Sequence, residues 1–140
     1  MLKEEGFENV VARHHRLAEG VRKAVAGWGL QTLCKDTRWK SDSLTVIEVP
    51  GVDTNKIVKN AYAKYDLSLG IGLAQVNGKV FRIGHLGNMN ELMLAGALCG
   101  AEMAMIDSGV KIQSGSGVSK AIEYWQKTAK VIKTRESLLQ

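Results

Sequence analysis

Residues 76–109 read VNGKVFRIGHLGNMNELMLAGALCGAEMAMIDSG, and the rest of the chain is arranged around them. The stretch reads as a hairpin turn, a short strand carrying one arginine, a glycine-broken loop and then a buried helix. Asn77-Gly78 stands between two strand-like runs, LGIGLAQV and KVFRI. Asn-Gly is the strongest two-residue hairpin signal, because both central residues of a type I′ turn need positive φ. Alternation along the second strand places Val80 and Arg82 on one face and Phe81 and Ile83 on the other. The loop Gly84-His85-Leu86-Gly87-Asn88 then opens a helix, with Asn88 or Asn90 as its cap and Glu91 in its first turn.

An arginine between apolar neighbours needs a partner. A guanidinium grips a carboxylate or phosphate through two parallel hydrogen bonds. A helix N-terminus close by offers unpaired N–H groups and partial positive charge. Spacing alone leaves two readings of Arg82 open: an ion pair with an internal Asp or Glu, or an anion site.

The run KVFRIGHLGNMNELMLAGALCGAEMAM resembles the C-terminal part of class V, fold-type I pyridoxal-phosphate aminotransferases, in the serine–glyoxylate and alanine–glyoxylate branch. The likeness extends more loosely over the first long helix, the two middle strands, VPGVDTNKIVKNAYAKYDLSLGIGLAQVNGK and the last helix. RIGHLG followed by a small-residue helix carries most of its specificity. The resemblance implies that Arg82 binds the substrate α-carboxylate. Where the family often has Asp, this chain has Asn88, which keeps a capping oxygen and drops a charge. The family's Schiff-base lysine, its aspartate on the pyridinium nitrogen and its phosphate-binding groups lie in a large domain upstream. Residues 1–140 therefore correspond to the C-terminal small domain alone, with no catalytic residue of their own. The complete enzyme would bind pyridoxal 5′-phosphate, take an amino acid and a 2-oxo acid as substrates, and form the family's usual homodimer. The contrasting reading is a free-standing, non-enzymatic module for anion binding or oligomerisation.

Composition agrees with one compact domain or a piece of one: 140 residues, 45 % hydrophobic, are enough for a core and argue against disorder. Met1-Leu2-Lys3-Glu4-Glu5 turns charged at once, without the apolar segment of a secretory signal. Cys34 and Cys99 suggest no disulfide framework, and Cys99 reads as a small core residue. A reduced, cytoplasmic protein is the expectation. The net charge of +5 is spread along the chain, with Arg13, Arg16, Arg22 and Lys23 on one helix and Lys56, Lys59 and Lys64 on another. No run of like charges and no aromatic interleaving marks a nucleic-acid surface, so a solvated face is expected, whose charge would help attract small dianions.

A long helix is expected over residues 5–28, its stripe formed by Phe7, Val10, Val11, Leu17, Val21, Ala24, Val25 and Trp28, with Gly27 and Gly29 ending it. His14 and His15 lack the i, i+4 spacing of paired metal ligands and read as boundary residues. Strands follow over 30–34 and 44–49, separated by a polar loop in which Trp39 either walls a pocket or packs over the core. Asp53 caps a helix carrying Ile57, Val58, Ala61, Tyr62 and Tyr65. Gly70 and Gly72 in the run 67–76 signal a bulge or a close approach by another backbone or a ligand. Ten uncharged residues, 92–101, are too few to span a bilayer, and Gly96 and Gly100 allow a neighbouring element to come close. The glycine- and serine-rich stretch 109–117 lacks the lysine and hydroxyl of a P-loop and reads as a connector. A last helix over 118–133 carries Val118, Ala121, Ile122, Trp125, Ala129 and Ile132. Ser137-Leu138-Leu139-Gln140 is not a peroxisomal address. The resulting order, αββαββαα, predicts an α+β domain with a mostly antiparallel sheet and helices packed on one side.

Overall fold

The computed structural model describes residues 2–131. Ile132, Lys133 and the C-terminal Ser137–Gln140, which figure in the expectations above, lie outside the described residues. The fold is the expected α+β arrangement. Its helices are α1 (Leu2–Glu5), α2 (Phe7–Gly27), α3 (Thr54–Tyr65), α4 (Glu91–Asp107) and α5 (Ser116–Thr128). Strands β1 (Gln31–Thr32), β2 (Leu44–Glu48), β3 (Gly70–Ile71) and β4 (Val80–Gly84) form one antiparallel sheet in the order β1-β2-β4-β3.

The alternation in β4 decides which face meets the helices. Phe81 and Ile83 are fully buried, and with Ile47 and Val49 they join Leu17, Val21, Ile57, Leu94, Leu98 and Met105 in one core. Helices cover that side of the sheet. The opposite side carries Leu44, Val46 and Glu48 from β2 beside Val80 and Arg82 from β4.

Several elements are shorter or differently bounded than their sequence suggests. Gly6, at φ 84°, separates α1 from α2, so the long helix starts at Phe7. Phe7 and Val11 of the predicted stripe remain exposed, at 73 % and 49 %. Gly29, at φ 72°, lets the Leu30 amide reach back to the Val25 carbonyl and ends α2. The strand expected over 67–76 contracts to Gly70–Ile71, and residues Ala74–Val76 make a 3-10 turn instead. Asn77-Gly78 does form a turn, but of type II: Asn77 has φ −59° and ψ 134°, and only Gly78 has positive φ. The neighbouring helix explains the choice. The Gly78 carbonyl accepts from the Thr54 amide at 3.0 Å, and Asn77 Oδ1 accepts from Asn55 Nδ2 at 3.0 Å. The turn thus satisfies the open end of α3, which Asp53 caps by accepting from the Asn55 amide.

Helices α2 and α5 pack through reciprocal tryptophan–glycine contacts. Trp125 lies on Gly20 and Trp28 lies on Gly117, so a Cβ at either glycine would enter an indole ring. Ile122 of the predicted α5 stripe is half exposed, and Ala129 follows the end of the helix. Helix α4 is apolar on both sides. Leu94, Leu98, Ala101 and Met105 are buried, while Leu92, Gly96, Cys99, Met103 and Ile106 form an exposed row at three- and four-residue spacing. Cys99 is therefore on the surface and not in the core, because the helix turns its other side to the sheet. Gly100 receives the Leu67 side chain, as close approach predicts; Gly96 faces open space.

The connector before α5 has a structural task. Glu102, buried in α4, accepts from Trp28 Nε1 at 2.7 Å and from the amides of Gly115, Gly117 and Val118 at 2.7, 2.8 and 3.1 Å. Burial opposes the charge, but the indole N–H and the three amides hold the Glu102 carboxyl below the ordinary range. The glycine-rich stretch is thus a cradle for an anion that the chain itself supplies. Among the described residues no helix is long and apolar enough to cross a membrane.

Removing the carboxylate leaves four N–H donors without an acceptor. Glu102→Ala should lower stability by about 3 kcal/mol, read as a shift of the urea midpoint. Because its folded pKa is depressed, the contribution is present above the ordinary Glu pKa of about 4.3 and is lost as pH falls through the lower folded value.

Candidate substrate-carboxylate site

Arg82 lies in the middle of β4 on the side of the sheet away from the helices. Its Cα partners are Val46 on β2 and Gly70 on β3. The remaining described arginines each meet a carboxylate: Arg13 with Glu5 at 2.6 Å, Arg16 with Glu91, Arg22 with Asp42 at 2.7 Å and Arg38 with Asp36 at 2.6 Å. Of the described arginines, Arg82 alone has a side chain with no ion pair and no hydrogen bond among the described residues. Its Nε is buried without a partner. Glu48, a carboxylate on the same side of the sheet, is taken by Lys35. Among the described residues Arg82 therefore has no internal carboxylate partner, and a half-buried guanidinium stands on the sheet with its donors unspent.

The ion pairs also revise the charge pattern. Arg13, Arg16 and Arg22 are not a solvated face. Arg16 donates to the Trp125 and Thr128 carbonyls as well as to Glu91, joining α2, α4 and α5. Arg22 holds the Ser41 carbonyl together with Asp42.

The loop between β4 and α4 is held by two histidines and an arginine. His85 is buried; its Nδ1–H donates to the Asp42 carbonyl at 3.0 Å, which leaves Nε2 to accept from the Thr45 hydroxyl at 2.9 Å. His14 Nδ1–H donates to the Val10 carbonyl at 2.7 Å, and Nε2 accepts from the Gly87 amide at 2.9 Å. Arg13 donates to the carbonyls of Gly87 and Met89 at 3.0 and 3.2 Å. His14 is thus a buried anchor, whereas His15 stays exposed beside Asp42. Asn90, not Asn88, caps α4 by accepting from the Met93 amide at 2.9 Å. Glu91 follows, held below the ordinary carboxylate range, against its partial burial, chiefly by Arg16. The N-terminus of α4 is thus met within the chain by the Asn90 cap and the Glu91 carboxylate.

Gly70 and Gly72 both mark close approaches. At Gly72 a Cβ would strike the Val76 carbonyl; at Gly70 it would stand 2.9 Å from Arg82 Nε. Trp39 is 76 % exposed and does not pack over the core. It walls a cavity of about 220 Å³ with Cys34, Leu44 and Val46. Among the described residues no cluster of His, Cys, Asp and Glu could hold a metal ion. Every described lysine is exposed or half-buried. The unpaired Arg82 guanidinium has the donor chemistry to take a carboxylate.

Comparison with known proteins places the fold among aminotransferases. The chain matches pyridoxamine–pyruvate aminotransferase from Mesorhizobium loti with a TM-score of 0.85 and 30 % identity, over 91 % of this chain and 33 % of that one. It is 58 % identical over 124 residues to serine–glyoxylate aminotransferase of Methylorubrum extorquens, covering 88 % of this chain and 31 % of the relative. Against the serine–glyoxylate aminotransferase of Arabidopsis thaliana it is 47 % identical over 136 residues, 96 % of this chain and 34 % of the relative. No protein-family model matches. The chain spans about a third of the length of the curated relatives it matches. It is homologous to the C-terminal part of the serine–glyoxylate aminotransferases.

Burial pushes the His85 pKa below the ordinary imidazole value, against the Asp42 carbonyl that favours the protonated ring. The stability His85 contributes is therefore full above about pH 6.5 and is lost as pH falls from there toward the lower folded value. His85→Gln can donate and accept without titrating. Its urea stability should be flatter than that of the unmodified protein across this window.

Proposed function

We propose that the chain is the substrate-binding C-terminal domain of a pyridoxal-phosphate aminotransferase, which moves an amino group from serine or alanine to glyoxylate or a similar 2-oxo acid. Arg82 binds the α-carboxylate of both substrates. The observation that carries this reading is the unpaired guanidinium on the helix-free side of the sheet, in a chain whose other described arginines are all paired. A bidentate charge-assisted contact would fix the substrate's orientation, so that the bond to be broken at Cα faces the reacting groups. The cofactor, when bound, supplies the electron sink for amino transfer. Its lysine and phosphate contacts belong to a large domain that precedes these residues in the complete enzyme. A homodimer in the cytoplasm goes with this reading. The exposed apolar row on α4 supports further burial in the complete assembly. A free-standing anion-binding or oligomerisation module is not favoured, because relatives that match nearly the whole chain are aminotransferases.

A paired hydrogen bond to a charged group is worth about 2–3 kcal/mol. In the complete enzyme Arg82→Ala should lower kcat/KM about a hundredfold. Arg82→Lys should also be poor, since an ammonium lacks the planar fork. Steady-state kinetics with serine and glyoxylate check this, and near-normal kinetics in the alanine variant remove Arg82 from the role.

A further inference from the structure

We propose that Gly70 is a positioning residue for the carboxylate grip: its missing side chain lets the Arg82 guanidinium lie across β3 and present Nη1 and Nη2 to the substrate. The inference rests on the reading of Arg82 given above. The antiparallel register sets Gly70 directly opposite Arg82. A Cβ built there would stand 2.9 Å from Arg82 Nε, 3.1 Å from its Cβ and 3.4 Å from its Cζ. The arginine therefore uses the space that any other residue at position 70 would fill.

Backbone conformation does not require this glycine. Gly70 is absent from the residues with positive φ, whereas Gly78 and Gly87 in the flanking loops need it. Space is what requires it. Gly72 differs, since its neighbour is the Val76 carbonyl and its role is in the chain path. The side chain lying on Gly70 is also one whose Nε is buried and unpartnered. With Nε covered, the donors left for a ligand are the two terminal nitrogens, Nη1 and Nη2, which form a fork. A methyl at position 70 would lift the guanidinium from β3, because its first contacts are with Nε and with Arg82 Cβ, close to the backbone. The fork would then be displaced while the helices and core remained as they are.

Gly70 acts on substrate only through Arg82, and that separates it from a structural glycine. In the complete enzyme, Gly70→Ala, Arg82→Ala and the double variant are compared by KM for serine and glyoxylate. The dissociation constant of glycolate, a carboxylate that cannot be transaminated, is measured by calorimetry alongside. Gly70→Ala should raise both KM values and the glycolate constant about tenfold, with a smaller fall in kcat. Added to Arg82→Ala it should have no further effect, since the group it displaces is gone. Unchanged glycolate binding in Gly70→Ala, or losses that add in the double variant, would overturn the role of Gly70 while leaving that of Arg82. Unchanged glycolate binding in Arg82→Ala would overturn the carboxylate reading itself, and the role of Gly70 with it. Should Gly70→Ala fail to fold, the double variant should fold, because Arg82→Ala removes Nε and Cζ and leaves only the Cβ contact at 3.1 Å; its failure too would overturn the proposal.

Discussion

The buried Glu102 carboxylate is the contact on which the helix layer depends. It lies in α4, it takes the indole N–H of Trp28 at the end of α2, and it takes three amides from the N-cap and first turn of α5. One anion thereby fixes the relative positions of three helices whose apolar surfaces alone would allow sliding. The tryptophan–glycine contacts between α2 and α5 complete the arrangement by bringing the two backbones close. Charge within an apolar layer is tolerated here because four N–H donors meet the carboxylate, three at Oε1 and one at Oε2.

Arg82 stands in contrast. On the helix side of the sheet, charge is spent on holding the fold, through Glu102, Arg16 and Arg22. On the opposite side a guanidinium is shielded at Nε and left unpaired. Under the proposed carboxylate reading of Arg82, that asymmetry divides the chain into a structural half and a binding half, with β4 as the boundary between them. The same strand sends Phe81 and Ile83 into the core and Arg82 away from it, so Arg82 stands on the rigid core without an intervening loop. The loop that follows is held separately, by His85, His14 and Arg13.

Sequence made legible what depends on local periodicity or on a short motif. The alternation in β4, the Asp53 cap, the antiparallel sheet with one helical layer and the prominence of Arg82 were all within reach of such reasoning. Contacts between distant segments were not. The Glu102 cradle joins residue 102 to residues 28 and 115–118, and in sequence it is one acid in an apolar helix followed by a stretch resembling a linker. Gly20 lies inside a helix, and only the position of Trp125 explains it. Apolar residues on both sides of α4 hid which side was buried, and so Cys99 was misplaced. The Asn77-Gly78 turn took type II geometry because α3 needed its carbonyl, a demand made from outside the hairpin.

The two outer strands of the sheet, β1 and β3, contain only two residues each. A sheet that ends in such short ladders offers few free N–H and C=O groups to an incoming chain. The outer ladders reach only Ile47 and Glu48 of β2 and Phe81 and Arg82 of β4. The brevity of β3 therefore leaves only a short edge for strand addition at the margin next to Arg82.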